Sequence, residues 1–142
     1  MYDLRKEPDN GIITMMRGDT FTMPIKINAG TKLVPEYVGL EENQTLYFGV
    51  MEPHQAFEDA VLKKVFTSES ETDESGNVLL TITPEDTLNL LVGKYYYMIK
   101  LRTVEDDAET VRTITTPTLF WIMGSNVEEK ELQYYEKGKY ID

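Results

Sequence analysis

The sequence contains no cysteine and a single histidine, His54. The absence of cysteine excludes disulfide bonds, thiol nucleophiles, and zinc or iron–sulfur sites held by thiolates. A single histidine also excludes a metal site built from several histidines, and any Ser-His-Asp arrangement would depend on His54 alone. We therefore expect no metal and no cofactor.

Basic residues are also few, since 14 Lys and Arg stand against 25 Asp and Glu and give a formal net charge of −11. Binding to phosphates requires a basic surface, so this balance argues against a nucleic-acid partner. No window approaches the ~20 apolar residues that span a bilayer, and the first residues lack the apolar stretch of a secretory signal. We expect a soluble chain with no membrane partner and no export by signal peptide.

A chain of 142 residues fits one domain. Its dominant pattern is alternation of apolar and polar side chains with a period of two, interrupted by turns at short intervals. Pro24 indicates an edge or a bulge in its strand, a break is predicted at Pro117, and residues 29–43 are predicted as a loop. The predicted strands occupy residues 12–17, 20–28, 45–51, 60–66, 77–83, 94–102 and 109–123.

The Thr83-Pro84-Glu85-Asp86 stretch has the signature of a helix start. Thr83 can cap the helix, Pro84 suits its first position, and Asp86 can close a capping box. A helical turn followed by Gly93 and a tyrosine-rich strand is similar to the corner before strand F of immunoglobulin-like sandwiches. There a tyrosine hydroxyl bonds back to the preceding loop. Tyr95 or Tyr97 is predicted to take that role.

About seven strands, regularly spaced turns and no convincing long helix predict an all-β fold. The predicted fold is an immunoglobulin-like antiparallel β-sandwich with a short C-terminal tail or helix. The alternating faces predict a core that includes Phe21, Met23, Ile25, Leu46, Phe48, Val50, Leu80, Ile82, Tyr97, Ile99, Leu101 and Trp121.

Three segments are predicted: an N-terminal arm over residues 1–10, the sandwich over 11–123, and a tail over 124–142. The tail has a capped start but a ragged apolar stripe, and isolated short helices are marginal in water. One interpretation is that Leu132, Tyr134 and Tyr135 form a protein interface with a neighbouring copy, since tyrosine is enriched at interface hot spots. The other is that the tail folds back on its own sandwich or stays disordered.

Arg17-Gly18-Asp19 spells an integrin-recognition tripeptide. Glycine and aspartate are also ordinary turn residues, and a turn between the first two strands is the interpretation we favour.

Two acidic loops, residues 69–74 and 105–109, each contain four carboxylates. Clustered carboxylates can bind Ca²⁺, but neither loop has the ligand spacing of a calcium loop, and acidic hairpin tips are usually solvated. Pairs of carboxylates also make a two-acid hydrolase conceivable. No pair is placed in a common cleft by the sequence, so we predict no catalytic residues and no enzyme activity.

Six of the nine tyrosines fall in two groups, residues 95–97 and the tail residues Tyr134, Tyr135 and Tyr140. Together they could form a sugar-stacking platform. The interpretation we favour is that they are core and interface residues, for which tyrosine supplies contact area with a polar tip.

Several stretches resemble small proteins encoded in the tail and baseplate regions of phages and prophages of Gram-positive bacteria. They are MMRGDTFTMPIKI, TLYFGVMEP, VLKKVF, LLTITPEDTLNLLVGKYYYMIKLR and TVRTITTPTLFWI. The combination is similar to the N-terminal immunoglobulin-like module of upper-baseplate proteins, and it spans about residues 11–123.

This resemblance implies a non-enzymatic structural or assembly protein that packs against copies of itself or other tail proteins. Its place would be the virion, or the bacterial cytoplasm during assembly. The sequence has no receptor-binding or coiled-coil extension of the kind found in longer baseplate proteins, which favours an assembly part over direct host adhesion. The alternative is a carbohydrate-binding or host-surface adhesion sandwich, and a calcium-dependent adhesin is a third reading.

Overall fold

The protein is described here by a computed structural model that covers residues 10–124. Strands contain 53% of the described residues and helical turns contain 7%, so the predicted all-β sandwich is confirmed. Leu132, Tyr134 and Tyr135, and the rest of the predicted tail beyond Gly124, lie outside the described residues, as does most of the predicted N-terminal arm.

The strands alternate with short turns and two single helical turns. In chain order the elements are β1 (Ile13–Met16), β2 (Phe21–Ile25), β3 (Ile27–Asn28), β4 (Tyr37–Val38), β5 (Gln44–Met51), a 3-10 turn (Phe57–Asp59), β6 (Leu62–Phe66), β7 (Val78–Ile82), α1 (Pro84–Leu88), β8 (Gly93–Glu105) and β9 (Ala108–Met123).

A five-stranded sheet in the order β1-β9-β8-β5-β6 forms one layer, and a two-stranded β2–β7 sheet packs on it. A small β3–β4 pair extends from the second layer. All pairs are antiparallel except β1–β9, which is parallel and matches Ile13 with Phe120. The prediction of an antiparallel sandwich therefore needs this one correction, because alternation fixes which face a strand buries but not its direction.

The core lies between the five-stranded sheet and β2–β7. Its centre is an aromatic group: the Phe48 and Tyr97 rings meet edge to face with centroids 5.3 Å apart, and Phe120 lies 6.4 Å from Phe48. All three side chains are essentially inaccessible to solvent. Nine of the twelve predicted core residues are buried, namely Ile25, Leu46, Phe48, Val50, Leu80, Ile82, Tyr97, Ile99 and Leu101.

Phe21 and Met23 are half-buried and pack against that core. The prediction that Trp121 lies in the core is wrong. Its side chain is 37% exposed, while its neighbours Phe120 and Ile122 are fully buried. Successive side chains of a strand point to opposite faces of the sheet. Predicting Trp121 to be in the core therefore assigns its neighbours in this apolar run to the wrong face as well.

The predicted strand over residues 20–28 is interrupted at Lys26, and the interruption comes from Asn10. The Lys26 N–H donates to Asn10 Oδ1 at 2.7 Å, and Asn10 Nδ2 donates back to the Lys26 carbonyl at 2.9 Å. A side chain 16 positions away thus takes the place of a neighbouring strand. Asn10 is itself buried and also donates to Thr115 Oγ1.

The remaining strand predictions differ in detail. The predicted loop over residues 29–43 contains β4, which pairs with β3. The predicted break at Pro117 is a register shift within a continuous β9, where Tyr97 pairs with Thr118 but Ile99 pairs with Thr115. β2 is an edge strand with β7 as its neighbour, which accommodates the missing N–H of Pro24.

The predicted helix start is confirmed. The Asp86 carboxylate accepts a 2.7 Å hydrogen bond from the Thr83 N–H and lies 2.7 Å from the Lys64 ammonium, so it joins α1 to β6. Burial acts to raise the pKa of Asp86. The hydrogen bond and positive charge of Lys64, together with the Thr83 N–H, outweigh that effect and leave this pKa below its ordinary value.

Candidate functional site

The Arg17-Gly18-Asp19 tripeptide forms the turn between β1 and β2. Gly18 has a φ of +88°, a conformation that favours glycine, and its N–H donates to the buried Thr87 Oγ1 at 2.8 Å. The Asp19 N–H donates to the Met16 carbonyl at 3.1 Å. The turn interpretation of this tripeptide is therefore confirmed.

The acidic loops use part of their carboxylates to shape the backbone. Asp73 Oδ1 accepts hydrogen bonds from the N–H groups of Ser75 and Asn77, both at 2.9 Å, and the Asn77 bond contributes most to lowering the pKa of Asp73. Asp106 and Asp107 have φ values of 48° and 67° and form the tight β8–β9 turn. Among residues 10–124, no three potential metal-ligating side chains come together.

The tyrosines of residues 95–97 do not form a common platform, because they alternate between the two faces of β8. Tyr95 and Tyr97 are buried, whereas Tyr96 is exposed on the opposite face. The Tyr95 hydroxyl donates to the Leu91 carbonyl at 2.6 Å, which is the predicted corner bond. Burial raises the pKa of both Tyr95 and Tyr97, the neighbouring charge of Glu52 adding to the effect at Tyr95.

The face of the five-stranded sheet that points away from β2–β7 carries an unusual charge distribution for so acidic a chain. We call this the outer face. Its strands β6 and β8 present four cationic side chains. In the described part of the chain, strand carboxylates occur only at the β8–β9 hairpin, as Glu105 and Glu109. The four cations are Lys63, Lys94, Lys100 and Arg102.

Arg102 pairs with Glu109 across the β8–β9 ladder. The strands in the central part of the outer face, between the hairpin and Trp121, therefore carry cations and no carboxylates, and Glu58 of the 3-10 turn adds one carboxylate near Lys63. The rest of the described surface carries its carboxylates in loops and turns.

A groove of about 340 Å³ lies on the outer face over β5 and β6. The Tyr47 side chain and the ring of Phe57 from the 3-10 turn form its walls, and the exposed Val65 lies beside Tyr47 on the neighbouring strand. Lys63 and Glu58 line its rim. The lining is mostly apolar, so the groove can hold an apolar or aromatic side chain next to a charged group.

Gly49 makes this groove possible. A Cβ at residue 49 would lie 2.8 Å from Phe57 Cε1 and 3.2 Å from the Cβ of Ala60, closer than packed carbon atoms approach. Without a side chain at this position, the Phe57 ring lies directly on the backbone of β5. The Lys100 ammonium lies 5.0 Å from the centroid of that ring and holds it by a cation–π contact.

The groove was not predicted from the sequence. The one residue that could have indicated it is the glycine in the middle of the β5 apolar run, since a glycine inside a strand often marks close approach by another part of the chain. The partner Phe57 lies eight positions later in a turn, and alternation carries no information about where a turn residue packs.

Comparisons with known proteins add no assignment: no family model matches this chain, and no curated protein is significantly similar to it. Within residues 10–124 there is no helix with the length and apolar character needed to cross a membrane.

Proposed function

We propose that this chain is a non-enzymatic structural protein of a phage or prophage tail, resembling a baseplate component, which acts through protein–protein contacts. The observation that carries the proposal is the groove formed by Tyr47, Gly49 and Phe57 on the outer face. An apolar depression whose rim carries Lys63 and Glu58 suits a protein segment that presents an apolar side chain beside charged groups. The proposed places of action are the virion and the cytoplasm of the host bacterium during assembly.

Two further features support contact with proteins rather than with sugars. The Phe57 ring lies against Gly49 and under the Lys100 ammonium, so it does not offer a free flat face. The Trp121 ring has the Lys94 ammonium 4.9 Å from its centroid. A carbohydrate-binding or host-surface adhesion function is the second candidate, and the experiment below distinguishes it.

The test measures the size of the purified protein by light scattering, alone and mixed with each protein encoded beside it in a tail gene cluster. Val65→Asp and Lys63→Glu change the groove, and Arg112→Glu makes the same reversal of charge at an exposed position near the far end of β9. We expect a complex that the two groove variants weaken and that Arg112→Glu leaves intact, with all three proteins melting at similar temperatures.

Two results would contradict the proposal. One is a chain that stays alone with every neighbouring tail protein while it binds to a glycan array, which supports the second candidate. The other is a complex that Val65→Asp and Lys63→Glu weaken no more than Arg112→Glu does, which removes the groove from the interface.

A further inference from the structure

A second exposed apolar surface lies at the end of the sandwich where β9 finishes. Val92 from the segment between α1 and β8 is 52% exposed, and Trp121 of β9 is 37% exposed. We call these two side chains the end patch. Val92 and Trp121 line a depression of about 240 Å³ together with Gly124. Exposed apolar side chains grouped in this way mark a contact surface.

The chain leaves the sandwich at this patch. Gly124 lies against Val92, since a Cβ at residue 124 would approach Val92 Cγ1 to 2.9 Å. The sequence continues for 142 − 124 = 18 residues. Because an extended residue spans at most ~3.6 Å, three residues reach at most about 11 Å from Gly124, which brings the end patch within the range of Val127.

The N-terminal residues before Asn10 are much less suited to cover the end patch. Asn10 is fixed at Thr115 by its hydrogen bond, nine positions along β9 from Gly124, which corresponds to about 30 Å at the rise of a strand. The nine residues that precede Asn10 would have to be fully extended to reach the patch.

Charge favours the C-terminal segment as well. Val127 is followed directly by Glu128 and Glu129. The Lys94 ammonium lies over the Trp121 ring at the patch. An apolar side chain followed by two carboxylates therefore matches an apolar depression next to a cation.

We propose that residues 125–142 pack over the end patch of their own molecule, with Val127 as the first side chain to contact Val92 and Trp121. Leu132, Tyr134 and Tyr135 supply the further apolar area. Attachment at Gly124 gives the segment an effective concentration in the millimolar range at the patch, which a second copy in dilute solution does not reach. This inference does not rest on the proposed function.

Trp121 is the only tryptophan of the chain, so its fluorescence reports directly on the patch. The experiment compares the full chain with a variant that ends at Gly124, and it measures the emission maximum and the quenching by acrylamide. In the full chain, Val127→Asp places a charge at the proposed contact, and Gln133→Asp places the same charge elsewhere in the segment. Circular dichroism and light scattering on every sample verify folding and mass.

We expect the shortened chain to be a folded monomer whose Trp121 emits at longer wavelength and is quenched more strongly. Val127→Asp should shift both quantities in the same direction and Gln133→Asp should leave them unchanged. Identical fluorescence in the full and shortened chains overturns the proposal. A full chain that is a dimer, and becomes a monomer on shortening, overturns it in favour of contact with a neighbouring copy. If the shortened chain fails to fold, the comparison of Val127→Asp with Gln133→Asp decides.

Discussion

The hydroxyl of Tyr97 donates a 2.5 Å hydrogen bond to the carbonyl of Gly11, 86 positions earlier in the chain. This bond joins the middle of β8 to the backbone that leads into β1. It satisfies the polar tip of an aromatic ring that is otherwise in the centre of the core. The ring and its hydroxyl therefore have separable contributions to stability.

Tyr97→Phe should lower the free energy of unfolding by about 1–3 kcal/mol, because the Gly11 carbonyl loses its partner while the core keeps its volume. Tyr96→Phe is the matched control on the exposed face, and we expect it to have a much smaller effect. Urea unfolding followed by circular dichroism measures both. Equal effects of the two substitutions would show that the hydroxyl of Tyr97 contributes nothing.

Phe48→Ala should cost about 3–5 kcal/mol, since it leaves a cavity between Tyr97 and Phe120. Trp121→Ala should cost only about 1 kcal/mol, because that side chain is on the outer face and partly exposed. The two free energies are measured by urea unfolding under one set of conditions. A Trp121→Ala cost as large as that of Phe48→Ala, both in the full chain and in the chain that ends at Gly124, would place the tryptophan in the core after all.

Gly49→Ala should destabilise the chain by about 1–3 kcal/mol, because the added methyl group forces the Phe57 ring off β5. In a Phe57→Ala background the same substitution should cost clearly less, since the ring that it displaces is gone. The double-mutant cycle, measured by thermal or urea unfolding, gives the coupling between the two positions. No coupling would mean that Phe57 does not lie on Gly49 in solution.

Asp86 makes stability depend on pH. Its pKa in the folded chain is below the ordinary value of 3.8, so its stabilising contribution is fully present above pH 3.8 and is lost as pH falls through the folded-state pKa. We expect Asp86→Asn to be less stable than the native chain at neutral pH, with a gap that narrows on acidification. Glu85→Gln, one position earlier in α1, is the matched control for the loss of a carboxylate. A constant gap between Asp86→Asn and the native chain at all pH values would contradict the assignment.

Melting temperatures in EDTA and in millimolar Ca²⁺ should agree. Asp73 already accepts hydrogen bonds from two backbone N–H groups, and the described acidic loops bring no three ligating side chains together. A ligand that binds only the folded state raises the melting temperature. A rise of many degrees in Ca²⁺ would therefore restore the calcium interpretation of these loops.

The sequence predicts those parts of the fold that depend on neighbouring residues. Leu46, Phe48 and Val50 alternate along one strand, and this local pattern is enough to predict their burial. Thr83 and Asp86 lie within a single helical turn, so their spacing is enough to predict the start of α1. Tyr95 and its partner Leu91 are likewise four positions apart.

What the sequence could not predict depends on partners far along the chain. Asn10 interrupts the strand at Lys26 from a distance of 16 positions. Trp121 lies in an apolar run in which Phe120 and Ile122 are equally plausible core residues. Whether Trp121 or its two neighbours face the core depends on how the strand packs. The groove was missed for a different reason, because Phe57 lies in a turn and alternation does not predict where a turn residue packs.

The parallel pairing of β1 with β9 also determines when the protein can fold. Ile13 cannot join its neighbour until Phe120 has been synthesised, so the sheet remains incomplete until β9 has been made. Pairings between such distant residues carry a high loop-closure cost and are typical of slow folding. A chain that ends before β9 would leave unpaired edges on both β8 and β1, and such edges are prone to aggregate. β9, the last strand among residues 10–124, is thus the one that protects the edges of β8 and β1.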